Sequence, residues 1–241
     1  NAEGEKEAIK GRSSFIMKKK VKVYPDTLCW LKDLTYAYNE PFVREYFSHI
    51  GYDNYPVVGV NWHQAQAFCN WRTQYFNSNA GVRVQAWRLP NEVEWEYAAR
   101  GGLSGAKYPW GGPYTRNKKG CFLANFKPLR GNYISDGGFT TVPVGTYEPN
   151  GFGLYDMAGN VAEWTGDAFD ESAYQVTHDL SPYYQITAKK SDNKILKRKV
   201  IRGGSWKDIA YFMQCGVRTY EYADSARSFI GFRTVRTRIE Y

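Results

Sequence analysis

Along most of this chain, apolar and polar residues alternate too irregularly to predict long elements. Two segments are exceptions. In NWHQAQAFCNWRTQYFNS, Trp62, Ala65, Phe68, Cys69 and Phe76 recur at the spacing that places them on one helical face. Asn61 and Gln64 have the types and separation of a capping box. In NEVEWEYAARGG, Asn91 and Glu94 repeat that signature, and Trp95, Ala98 and Ala99 supply a narrow buried face. Gly101 is placed to end this second helix. EPFVREYF, at about 40–47, predicts a short helical turn. Extended segments are expected in VKVYPDTLCWL, in KVIRGGSW, and in SFIGFRTVRTRIEY, where Phe232, Val235 and Ile239 alternate with polar residues. The stretch from about 103 to 160 is rich in glycine and aromatics and has few periodic segments. The pattern predicts an α+β fold low in regular structure, as one domain over residues 21–241 behind a flexible polar segment, 1–20.

Composition supports that picture. Aromatics make up 17% of 241 residues, with 20 Tyr and 8 Trp, which suits a core that fills space between irregular loops. No apolar run approaches the ~18 residues that span a bilayer. The chain has no initiating Met and no signal peptide. It reads as a trimmed fragment, with targeting information, including any lipid anchor, expected upstream.

Charge and chemistry narrow the function classes. The net charge of +8 is concentrated at the two ends. Such patches attract acidic partners or anionic headgroups, but no nucleic-acid-binding motif accompanies them. Cys29, Cys69, Cys121 and Cys215 lie far apart, so no CxxC motif exists. They read as buried thiols ahead of two disulfides. His49, His63 and His178 share no ligand spacing, which argues against a histidine-based metal or hydrolase site.

Three blocks are specific together: RLPNEVEWEYAARGG at 88–102, NGFGLYDMAGNVAEWTGD at 150–167, and RGGSW at 202–206 followed by GFR at 231–233. Their order and spacing resemble the formylglycine-generating enzyme, or sulfatase-modifying, family, over roughly residues 55–238. The resemblance implies that family's variant of the C-type lectin fold. Asp156, Asn160 and Glu163 lie in a glycine-bearing turn, and oxygen ligands on a turn suit a hard cation. The resemblance implies structural calcium, held by the side chains of Asp156 and Glu163 and the carbonyls of Gly159 and Val161. A second site would use Asn125, the Phe126 carbonyl and Asp136.

The family's enzymes bind copper(I) through two cysteines shortly after RGGS and oxidise a substrate cysteine there. Soft thiolates suit that soft ion. Here the two positions hold Asp208 and Met213, or Ala210 in a shifted alignment. Cys215 is left as a buried or disulfide thiol on a strand leading to Arg218. No copper is therefore expected, and the reading is a family member without oxidase activity, with no catalytic residues. The three-histidine iron site of the sulfoxide-synthase branch is missing too.

A narrower resemblance comes from GRSSFIMKKKVKVYPDTLCWLKDLTYAYNEPFVREYF and YDNYPVVGVNWHQAQAFCNWRT. These resemble the GldK/PorK lipoproteins of the gliding-motility and type IX secretion machinery, with an insertion at about 21–54. That resemblance implies a structural subunit at the periplasmic face of the outer membrane. It would form a homo-oligomeric ring with a GldN/PorN-type partner, be tethered by an upstream lipid, and bind no nucleic acid. The competing readings are a formylglycine-generating-type cysteine oxidase and a calcium-dependent glycan- or peptidoglycan-binding module.

Overall fold

The computed structural model describes residues 20–35, 39–79, 84–130, 132, 134, 138–176, 183–189 and 191–237. The expected flexible segment 1–20 lies almost wholly outside them. The elements in chain order are α1 (Cys29–Asp33), α2 (Glu40–Glu45), α3 (Trp62–Asn79), β1 (Trp87–Arg88), α4 (Glu92–Arg100), β2 (Ala162–Ala168), α5 (Ala173–Val176), β3 (Arg198–Arg202), β4 (Thr219–Tyr222), β5 (Ile230–Phe232) and β6 (Val235–Arg236). This is an α+β fold with few helices and short strands.

Both main helices start where their caps predict. The Gln64 amide N–H donates to Asn61 Oδ1 at 2.9 Å, and the Asn61 N–H donates to Gln64 Oε1 at 2.8 Å. Asn91 and Glu94 close the same reciprocal box on α4, and Gly101 ends it in the left-handed conformation. Ala65 and Cys69 of α3 are buried with Leu89, Trp164 and Ile230, whereas Phe68 and Phe76 stay partly exposed.

Four strands form one sheet in the order β4-β3-β2-β5, with β5 parallel to β2 and the other pairs antiparallel. β1 pairs with β6 alone. The segment expected as one C-terminal strand is therefore two, β5 and β6, in different sheets. Its far end, with Ile239, lies outside the described residues. VKVYPDTLCWL is not extended throughout: Cys29 and Trp30 sit on α1. Glu163 belongs to a strand rather than to the turn that the sequence suggests. That strand, β2, reads AEWTGDA, and all seven of its residues are buried although two are acidic.

The N-terminal aromatic segment folds onto the body. Trp30 stacks on Phe42, with centroids 4.8 Å apart, and on Trp206 at 6.1 Å. Asp33 accepts hydrogen bonds from the Ser228 N–H and hydroxyl at 2.8 and 2.9 Å. N-terminal residues thus share a core cluster with Trp206 of RGGSW.

Candidate functional site

The turn before β2 and the turn after β3 are joined by backbone bonds. The Gly159 N–H donates to the Gly203 carbonyl, and the Trp206 N–H donates to the Asn160 carbonyl, each at 2.9 Å. Glycine is required at 159: φ is +77°, and a Cβ would lie 2.4 Å from the Asn125 carbonyl oxygen. Asn160 adopts φ +63°, which asparagine tolerates better than most residues. Its side chain bonds the backbone N–H and carbonyl of Val142 at 3.0 and 3.1 Å. This asparagine therefore takes the place of a strand partner.

Glu163 lies one residue inside β2. Arg233 grips it with Nε and a terminal nitrogen at 2.5 and 2.6 Å, and the Trp95 indole N–H donates to it at 2.7 Å. Bidentate guanidinium pairing is the strongest form such a contact takes. Arg233 also donates to the Tyr155 carbonyl at 3.1 Å. The GFR motif of the sequence thus supplies the partner of a glutamate 70 residues earlier, a link that spacing alone does not reveal. Asp156 accepts from the Gly145 N–H at 2.8 Å. Burial pushes its carboxyl up, the Gly145 bond opposes that, and the nearby Glu163 charge adds to the rise. Asp156, Glu163 and Arg233, together with Tyr55, Tyr155 and Phe232, line a cleft of about 500 Å³.

The residues expected to hold calcium divide accordingly. Asp156, Gly159, Val161 and Glu163 do share this turn and the strand start. An ion bound through Glu163 would have to displace Arg233 from it. Val161 packs its side chain beside Trp30 and Trp206. Asn125 is committed to the fold: its amide donates to the Thr140 carbonyl at 2.7 Å, and its carbonyl accepts from the Asn160 N–H at 2.8 Å. Phe126 is buried in the cluster with Tyr108 and Met213. Asp136 lies outside the described residues. Among the described residues, no group of three His, Cys, Asp or Glu side chains could hold a metal.

The positions of the family's copper-binding thiolates hold no thiol pair. The Ser205 hydroxyl donates to Asp208 Oδ2 at 2.6 Å, and burial raises the Asp208 carboxyl while that bond opposes the rise. Met213 is fully buried, and Ala210 packs against the same cluster. Cys215 follows a short 3-10 turn rather than lying on a strand, and is buried beside Trp95, Ala99 and Met157. Burial pushes its thiol up to about 11. All four cysteines are free: Cys29, Cys69 and Cys215 are buried, and Cys121 is exposed. A hard carboxylate and a thioether are the wrong donors for a linear dithiolate copper site, so the residues do not fit that group.

Comparison with known proteins decides the family. Residues 15–238 match the sulfatase-modifying factor enzyme 1-like domain. The chain belongs to this family. It is 35% identical over 189 residues to the formylglycine-generating enzyme of Streptomyces coelicolor, covering 76% of this chain and 53% of that protein. It is equally 35% identical over 185 residues to the inactive C-alpha-formylglycine-generating enzyme 2 of Bos taurus, covering 74% of this chain and 49% of that one. The structure of PvdO from Pseudomonas aeruginosa superposes with a TM-score of 0.60 at 27% identity, covering 76% of this chain and 62% of that one. The chain spans about half the length of these two curated relatives. The relatives overturn the expectation of a non-enzyme: the family is enzymatic, with inactive paralogues inside it.

Proposed function

We propose that this chain is a polypeptide-directed member of the formylglycine-generating family. The activity its relatives point to is oxidation of a peptidyl cysteine. The observation that carries this reading is the 35% identity to a formylglycine-generating enzyme over 76% of the chain. The joined turns and the Glu163–Arg233 cleft support it, since aromatic walls around a few fixed charges suit an extended segment. Asp208 and Met213 give no thiolate pair, so no step is routed through a dithiolate copper ion. The test is a cysteine-bearing peptide incubated with the protein, oxygen and a reductant, read by mass spectrometry for thiol-to-aldehyde conversion. Conversion that fails when the cleft is blocked supports the reading. Absence of both conversion and peptide binding overturns it.

The N-terminal block favours a second reading. Trp30, Phe42, Tyr46 and Phe47 build an aromatic wall onto Trp206, and the surrounding sequence resembles the GldK/PorK lipoproteins. On this reading the chain is a subunit of the type IX secretion and gliding machinery. It would form a ring with a GldN/PorN-type partner at the periplasmic face of the outer membrane, anchored by a lipid. The Streptomyces and Bos taurus relatives do not point to that role, so it rests on the N-terminal block alone. Co-expression with such a partner and size-exclusion chromatography tests it, and a discrete monomer counts against it.

A further inference from the structure

A second cavity, of about 330 Å³, lies away from the Glu163–Arg233 cleft, between the start of α3, the 185–189 segment and β3. Its walls include Trp62, Ile186, Ala188, Leu196 and Ala223, and Lys199 lines it as well. Lys199 is 6% exposed. Its ammonium lies 4.2 Å from the centroid of the Trp62 ring. Its hydrogen bond to the Ile186 carbonyl is long, at 3.5 Å. Among the described residues, no carboxylate forms an ion pair with it. The nearby Asp167 is occupied elsewhere, accepting from the Glu92 N–H at 2.7 Å and the Tyr184 N–H at 3.0 Å.

A buried cation is costly unless it is paired. Here the missing partner faces a space large enough for a small molecule, floored by an aromatic ring. We infer that this cavity binds a carboxylate on an apolar body, its charge against Lys199 and its body against Trp62. A monoanion fits better than phosphate. Lys189 and Lys197 line the cavity too, but Lys199 is the buried cation among them, and Asp224 in the lining and Asp167 near the ammonium oppose a second negative charge. The apolar walls favour an organic group over an inorganic ion. Burial pushes the Lys199 amine down to about 8, partly offset by Asp167, in keeping with a cation awaiting its counter-ion.

The probes are 3-phenylpropionate, its neutral amide, inorganic phosphate, and a short peptide ending in a free Phe carboxylate, titrated calorimetrically into the whole chain. The acid is expected to bind at least tenfold tighter than the amide and than phosphate. The peptide arm separates a free metabolite from a chain terminus as the source of the carboxylate. Lys199→Met is expected to lose at least tenfold in affinity for the acid. Ala188→Trp, which fills the cavity and leaves the lysine in place, is expected to abolish binding of both acid and amide. Equal binding of acid and amide, tighter binding of phosphate, or acid binding unchanged in either variant overturns the proposal. Should Lys199→Met fail to fold, the acid–amide comparison and Ala188→Trp decide it.

Discussion

Lys199 and Arg202 sit three residues apart on β3, both buried, on opposite faces of the sheet. Their surroundings differ completely. Arg202 meets Glu92 at 3.3 Å and a carboxylate oxygen of Glu96, and it donates to the carbonyls of Val217 and Cys215 at 2.9 and 2.7 Å. Glu92 is held again by Arg218 at 2.6 and 2.8 Å. Lys199 has a ring, one long hydrogen bond and a cavity. A buried charge can therefore signify two things. Neutralised within the chain, it ties a helix to a strand; left open beside a space, it marks a place for something else.

The largest expected effect comes from breaking the closed end. Arg202→Met takes a buried guanidinium from Glu92 and Glu96, leaving them Arg218 and Arg100, and removes the donor to the Val217 and Cys215 carbonyls; it should cost about 3–5 kcal/mol in urea unfolding. Lys199→Met should be neutral or mildly stabilising at pH 7, because it removes a buried charge with no ion-pair partner. Equal losses in the two variants would erase the distinction.

Next in size is the pH dependence of that difference. The folded-state pKa of Lys199, about 8, lies below its ordinary 10.5. Between those values the unfolded chain holds a proton that the folded chain has released, so stability rises with pH across the window. The wild type should gain on the order of 3 kcal/mol relative to Lys199→Met from pH 8 to 10.5. A flat difference would show that the amine is not desolvated. Asp167→Asn sharpens the comparison further. Removing the charge that supports the ammonium should lower the Lys199 titration further, measured by side-chain NMR or amine-labelling rate. The smallest effect belongs to the cap at the Arg202 end: Asn91→Ala should cost about 1 kcal/mol, and leave labelling of Lys199 unchanged.

What is legible in the chain follows the range of the interactions. The caps of α3 and α4 are formed by residues three apart, so they can be read directly. β2 is hidden because Glu163 and Asp167 are polar, and their partners Arg233 and Glu92 lie 70 and 75 residues away. Spacing locates Asp208 and Met213 after RGGS, but two substituted positions say little about the rest of a chain that matches enzymes over three quarters of its length. Lys199 stands in a basic run that resembles a solvated surface, and only the fold reveals that one lysine of that run points inward.

The packing of Trp30 on Trp206 bears on how the chain is made. A ribosome exposes residues 29–47 long before it reaches Trp206, Arg227 and Ser228, the residues that cover them. At about 5–20 residues per second, that gap lasts on the order of ten to forty seconds. During it, Trp30, Phe42 and Tyr46 can pack on one another and on Tyr52 but lack the Trp206 side of their cluster. Newly made chains would offer this stretch to any holding chaperone at the exit tunnel, and the domain can lock only after its last third emerges.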